Sequence, residues 1–284
     1  MEIKTFGVIG AGIMGGGIAQ VAAASGYNVI LNDIEDRFLD KGISTISNSL
    51  ERMVKKEKLS SGEKEGILAR ISRTLRMEDM SKADFVIEAA IENESLKLDI
   101  FKRLDKICPD EVILASNTSS ISITKIASIT KRPDKVIGMH FFNPVAMMKL
   151  VEIIKGLASS DDTYQKISEL AKSLGKTPAQ ANDFPGFIAN RIWVPMINEA
   201  VFALHEGVGT VESIDTAMKL AFNHPMGPLE LCDLVGLDTI LSILEVLYQG
   251  FGDPKYRPCS LLKKYVDAGY LGRKSGKGFY SYEK

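Results

Sequence analysis

Along the first part of the chain, short apolar runs rich in valine and isoleucine alternate with longer stretches whose apolar residues recur at helical spacing. The runs are "IKTFGVI" (residues 3–9), "YNVILND" (27–33), "DFVIEAA" (84–90), "EVILAS" (111–116), "KVIGMHFF" (135–142) and "KLVEII" (149–154). Each reads as a buried strand, and strand alternating with helix predicts an α/β, Rossmann-like, mostly parallel sheet covered on both faces. From about residue 185 the strand-like runs cease and helical patterns take over, beginning with "FPGFIANRIWVPMINEAVFALHEG". Asp183 is the expected N-cap of that helix, with Pro185 in its first turn, Pro195 kinking it and Gly207 ending it. The pattern therefore divides the chain into residues 1–184, a Rossmann-like domain, and residues 185–284, a smaller all-helical domain. No internal repeat is visible.

Residues 6–24, "FGVIGAGIMGGGIAQVAAA", carry no charge and could pass for a signal peptide or a membrane span. Six glycines and Gln20 argue against both, and the stretch parses as strand, glycine turn and helix. With 45% hydrophobic residues in 284, the chain has material for ordinary packed cores. The 35 Lys and Arg nearly balance 36 Asp and Glu, so no global field favours nucleic acid or an anionic membrane, and an anionic ligand must be met by a local site. Cys108, Cys232 and Cys259 are odd in number and far apart, which argues against a disulfide framework and a zinc cage. A reducing cytoplasm and no bound metal are expected.

The first chemical motif is Gly10-Ala11-Gly12-Ile13-Met14-Gly15, which directly follows a predicted strand and opens a predicted helix. That context turns a weak pattern into a dinucleotide fingerprint. Gly10 permits the turn, Gly12 lets the backbone approach a pyrophosphate, and Gly15 lets helix and strand pack closely, while Ile13 and Met14 complete the cofactor loop. Asp33 ends the second strand, eighteen residues after Gly15, where a carboxylate can accept from an adenosine ribose and repel a 2′-phosphate. No arginine stands beside it, so NAD is expected rather than NADP. A methyltransferase or flavin site is the rival reading.

In an open parallel sheet the ligand lies beyond the carboxyl ends of the strands. There the sequence places Ile91 and Glu92, then Asn117, Thr118, Ser119 and Ser120, then His140 and Asn143-Pro144. Each has an ordinary reading: "SNTSSISI" as a loop capping a helix through Ser120 or Ser122, His140 as a hydrogen-bonded core residue, and Glu152 as a solvent-facing strand position.

Taken together and in order, "GVIGAGIMGGGIAQ", "VIEAAIE", "LASNTSSISIT", "RPDKVIGMHFFNP", "MKLVEII", "PGFIANRI", "NHPMGPLEL" and "GYLGRKSGKGFYSY" resemble the 3-hydroxyacyl-CoA dehydrogenases over the whole chain, most closely the short bacterial 3-hydroxybutyryl-CoA dehydrogenases. The resemblance implies a Rossmann-like NAD domain joined to a helical domain that binds substrate and forms a homodimer, with an acyl-CoA substrate. It implies His140 as general acid/base, Glu152 as its partner, and Ser119 and Asn190 in contact with the reacting oxygen. On the cofactor side it points to Asp33, Glu92, Lys97 and Asn143; Asn117, directly after "EVILAS", is a further cofactor candidate by its position. A lysine of the helical hairpin meets the nucleotide of CoA in such enzymes; in the run Lys55-Lys56-Glu57-Lys58, otherwise a solvated helix face, Lys56 is the candidate. Where relatives commonly read "FNPxP", this chain has Asn143-Pro144-Val145-Ala146.

The chemistry agrees with those assignments. Moving a hydride to a carbonyl carbon leaves charge on oxygen, so a proton donor must lie within hydrogen-bond reach, and histidine suits that at neutral pH. A carboxylate on the other ring nitrogen would fix its tautomer, as in the Ser-His-Asp arrangement. Ser119 would hold the substrate oxygen and Asn190 would donate from the second domain, placing the site in an interdomain cleft. Two alternatives stay open at this stage: a dehydrogenase of a small hydroxy acid, for which Arg191 is the obvious carboxylate partner, and a non-catalytic NAD-binding protein of the lens-crystallin kind. His205 is expected to serve a helix C-terminus and His224 a turn.

Overall fold

The computed structural model describes residues 3–282, which divide into two compact units with the boundary between Phe184 and Pro185. In the first, β1 (Thr5–Ile9), α1 (Ile13–Ala24) and β2 (Asn28–Asn32) lead into the helical hairpin α2 (Asp36–Lys55) and α3 (Ser61–Ala69). Then come β3 (Ile71–Thr74), β4 (Phe85–Glu88), α4 (Glu94–Ile107), β5 (Ile113–Ser116), α5 (Ile123–Ser128), β6 (Val136–Phe141), β7 (Leu150–Lys155), α6 (Asp161–Ser173) and β8 (Thr177–Asn182). They form one sheet in the order β3-β2-β1-β4-β5-β6-β7-β8. The pairs from β3 to β6 are parallel, β7 runs antiparallel to β6, and β8 is parallel to β7.

The central strands are buried on both faces, which is why they read as continuous apolar runs. Phe6, Leu31, Ile87, Ile137 and Ile153 are fully enclosed, and Phe6 meets Phe85 edge to face at 5.0 Å between ring centroids. Burial of each such side chain stabilises the fold by roughly 1.5–3 kcal/mol. Two strands, β3 and β8, lack such a run, and both are the edges of the sheet. An edge strand has one neighbour and needs less apolar surface, and Pro178 in β8 is tolerated at such a position because a missing N–H costs least there.

The helical unit contains α7 (Ala189–His205), α8 (Val211–Ala221), α9 (Pro228–Val235), α10 (Leu237–Phe251) and α11 (Ser260–Asp267). Its core joins Val194, Ile197 and Val201 of α7 to Leu229, Leu237, Ile240, Leu244 and Leu262. Gly207, at φ +75°, closes α7 with its N–H on the Leu204 carbonyl. Pro195 lies within the helix and denies the Arg191 carbonyl its usual helical donor. Asp183 does not cap α7. Its carboxylate accepts from Ser122 Oγ at 2.7 Å and from the N–H groups of Ile123 and Thr124 at 3.0 and 2.7 Å, so it caps α5 instead. The helix after it begins only at Ala189, too far along the chain for Asp183 to reach its amides.

Candidate active site

β1 runs into Gly10–Gly12, β2 into Asp33, β4 into residues 89–92, β5 into residues 117–120, and β6 into residues 142–144. The chain goes out from β1 through β2 to β3 and then returns to β4 on the other side of β1. A ligand crevice opens at such a switch point, beyond the carboxyl ends of the strands.

The three motif glycines have different reasons to be there. Gly10 sits at φ +99°, and a Cβ on it would come within 2.7 Å of the Ala89 carbonyl oxygen. A Cβ on Gly15 would lie 1.8 Å from the Gly10 oxygen. The packing of the protein itself demands both. A Cβ on Gly12 would meet nothing within 4 Å, and Gly12 is the N-cap of α1 with no side chain satisfying the helix amides. Space and donors together at a helix N-terminus are what a pyrophosphate requires.

Asp33 joins this loop to the second strand. Its Oδ2 accepts from the Ala11 N–H and its Oδ1 from the Ile34 N–H, both at 2.7 Å. Each carboxylate oxygen keeps a second lone pair for a ribose hydroxyl. The nearest arginine in sequence, Arg37, pairs with Glu35 at 2.8 Å. Ile13, Ile34 and Ile91, at 73%, 79% and 73% exposure, stand bare beside these loops, and Met14 is half-buried on the first turn of α1. Large apolar side chains left in water at a crevice are the usual lining of a ring-binding pocket.

His140 and Glu152 are register partners across the antiparallel pair of β6 and β7. Nδ1 lies 2.8 Å from Oε2, and the two residues are only 7% and 1% exposed. A carboxylate has no proton to give, so in this pair Nδ1–H donates to Glu152. Phe142 packs against the imidazole at 4.5 Å between ring centroids.

Glu92 gathers the loop after β5. Its Oε1 accepts from the Thr118 hydroxyl, the Ser119 N–H at 3.0 Å, the Ser120 N–H at 3.1 Å and the Ser120 hydroxyl at 2.7 Å. Burial pushes this carboxyl up, but the Lys97 ammonium and the hydrogen bonds of Thr118, Ser120 and Ser119 outweigh it and hold the group below its ordinary range. Asn117 Oδ1 accepts from the Phe141 N–H at 2.9 Å, tying the same loop to the end of β6 beside His140. Ser119 is half-buried and Asn143 exposed.

Lys97 is 1% exposed and surrounded by protein acceptors: Glu88 Oε1 at 2.6 Å, the Ala90 carbonyl at 3.2 Å and Glu92 Oε2 at 3.4 Å. Glu88, fully enclosed, also accepts from the Ser116 hydroxyl at 2.7 Å and the Ala90 N–H at 2.7 Å. In the helical unit, Asn190 is 5% exposed in the first turn of α7, and its Oδ1 accepts from the Trp193 indole N–H at 2.9 Å.

The family model for the 3-hydroxyacyl-CoA dehydrogenase NAD binding domain matches residues 5–184, and that for the C-terminal domain matches residues 186–282. The chain belongs to the 3-hydroxyacyl-CoA dehydrogenase family. It is 54% identical to a probable 3-hydroxybutyryl-CoA dehydrogenase of Bacillus subtilis, over 100% of this chain and 99% of that protein. It is 43% identical to the mitochondrial hydroxyacyl-coenzyme A dehydrogenase of Homo sapiens, over 99% and 92% of the two chains. The crystal structure of the (S)-3-hydroxybutyryl-CoA dehydrogenase from Ralstonia eutropha superimposes with a TM-score of 0.97 at 53% identity, covering 100% of both. The chain is therefore an NAD-dependent oxidoreductase.

Elsewhere in this dehydrogenase, Lys56 is exposed at the C-cap of α2, at the turn into α3 rather than on a helix face. His205 is the last residue of α7 and lies 3.3 Å from the Ser260 hydroxyl, and His224 stands in the turn after α8. All three cysteines are buried thiols, and burial pushes Cys108 up to about 11. Among the described residues no group of His, Cys, Asp and Glu could hold a metal ion, and no helix is long and apolar enough to cross a membrane. Reading the sequence alone missed Glu88, Ser116 and Ile34. A glutamate inside "DFVIEAA" was the visible signal for Glu88; an isolated isoleucine after Asp33 was a weak one for Ile34.

Proposed function

We propose that this dehydrogenase interconverts (S)-3-hydroxyacyl-CoA and 3-ketoacyl-CoA, with (S)-3-hydroxybutyryl-CoA and acetoacetyl-CoA as its preferred pair. The observation that carries the proposal is the buried His140–Glu152 pair at the carboxyl end of the sheet, 2.8 Å apart. The NAD loop is Gly10, Gly12 and Gly15 with Ile13 and Met14, and Asp33 accepts from the ribose. NAD, when bound, takes or gives the hydride at its nicotinamide ring.

The chain's own residues handle the proton. His140 gives a proton from Nε2 to the ketone oxygen as the hydroxyl forms, and takes it back in the oxidative direction. Glu152 holds Nδ1–H, keeping the ring in one tautomer and stabilising the imidazolium. Ser119 and Asn190 hydrogen-bond the substrate oxygen. Glu92 acts as a positioning residue through the loop that carries Ser119, Lys97 acts through Glu92, and Asn117 and Asn143 border the nicotinamide. Lys56 meets a phosphate of CoA.

Arg191, the residue a small hydroxy acid would require, stacks on Phe251 at 4.2 Å, which favours the CoA thioester over a free acid. Leu220 and Phe222, at 82% and 67% exposure, fit burial against a second copy, so the enzyme works as a homodimer through its helical domain. Buried free thiols fit the reducing cytoplasm. The test is NADH consumption with acetoacetyl-CoA and with free acetoacetate. The proposal predicts rapid turnover of the thioester alone; equal rates would overturn it.

A further inference from the structure

We infer that Trp193, the chain's single tryptophan, is a positioning residue that forces Asn190 to meet the substrate as a hydrogen-bond donor. The inference rests on the proposed contact between Asn190 and the substrate oxygen. The two residues are three apart at the start of α7 and so share a helix face, and Trp193 Nε1–H donates to Asn190 Oδ1 at 2.9 Å.

An indole N–H can only donate. It cannot be satisfied by an amide NH2, so the orientation of this amide, ordinarily open to exchange of its oxygen and nitrogen, is set by chemistry. Oδ1 turns to the indole, and the NH2 group turns the other way. Asn190 is 5% exposed, and the indole is packed against the core of the helical unit, so neither group moves readily.

A fixed donor is what the reaction requires. As hydride reaches the carbonyl carbon, charge builds on the oxygen, and a donor aimed at that oxygen gains strength towards the transition state. An amide released from Trp193 could flip and present its own oxygen instead, setting acceptor against acceptor. Trp193 thereby acts on turnover through Asn190, with no part in holding the cofactor.

The experiment compares Trp193→Phe, Asn190→Ala, Asn190→Asp and the Trp193→Phe/Asn190→Ala double variant, with kcat and KM for acetoacetyl-CoA, Kd for NADH and thermal melting. Trp193→Phe keeps the ring and removes the donor, and should lower kcat about three- to tenfold with the NADH Kd unchanged, the range expected for one hydrogen bond. It should add nothing to the loss in Asn190→Ala. Asn190→Asp keeps an acceptor for Trp193 but offers the substrate oxygen no donor, and should lose at least as much turnover as Asn190→Ala; this arm leaves the indole in place. In Asn190→Ala the emission of the single tryptophan should shift as its partner disappears. A slow Asn190→Ala beside a wild-type Trp193→Phe, additive losses in the double variant, or a fully active Asn190→Asp would overturn the inference while the Asn190 contact stood. A fully active Asn190→Ala would instead overturn the contact itself.

Discussion

His140 and Glu152 face one another across the one antiparallel step in an otherwise parallel run of neighbours, imidazole Nδ1 against carboxylate Oε2 at 2.8 Å, both closed off from water. A carboxylate in that setting is costly unless it accepts a strong hydrogen bond, and a buried imidazole keeps one tautomer only if one nitrogen is committed. Each residue therefore supplies what the other lacks. Glu152→Gln keeps the shape and one acceptor oxygen but removes the charge that would stabilise an imidazolium at His140 in the proposed mechanism. Turnover with acetoacetyl-CoA should fall at least about tenfold while NADH binds as before. Wild-type turnover in steady-state assays would make Glu152 an ordinary strand residue.

In the proposed NAD loop, cofactor binding and folding fall on different glycines. Gly12→Ala places a methyl group where no protein atom lies within 4 Å, so melting should be unchanged while the Kd for NADH, followed by fluorescence titration, rises. Gly15→Ala drives a methyl group into the Gly10 carbonyl and should destabilise the protein before any binding is measured.

Lys97 neutralises Glu88 in a fully enclosed pair at 2.6 Å. Lys97→Met strands a buried carboxylate and should cost about 3–5 kcal/mol in chemical denaturation. Replacing both, as Lys97→Met with Glu88→Leu, should recover much of that loss. Equal destabilisation in the single and double variants would mean that the charge itself is not the cost.

Glu92 titrates below its ordinary value of 4.5 in the folded protein. A carboxyl depressed on folding stabilises the native state above its unfolded pKa and loses that contribution as pH falls through the folded one. Glu92→Gln should therefore melt lower than wild type at pH 7, with the gap closing as the pH is taken below about 4.5. A gap of constant size across that range would assign the loss to packing.

The central strands and the glycine fingerprint were legible because full burial writes unbroken apolar runs and because a turn at φ +99° leaves few residues able to serve at Gly10. The edge strands β3 and β8 were not, since one-sided pairing leaves little apolar signal in "ISRT" or "TPAQAN". Asp183 misled for a related reason. Its position suggested a cap for the next helix, but its carboxylate serves α5 some sixty residues earlier, a tertiary relation that local spacing does not carry. The network of Glu88, Lys97, Ser116 and Glu92 was illegible as a network for the same cause: its members are polar singletons in separate elements.

The most direct test is a single-turnover measurement on His140→Ala with NADH already bound and acetoacetyl-CoA added, following the loss of NADH absorbance. If His140 moves the proton, the rate should fall by about a hundredfold or more against wild type, with NADH affinity unchanged. A wild-type rate in His140→Ala would contradict the account.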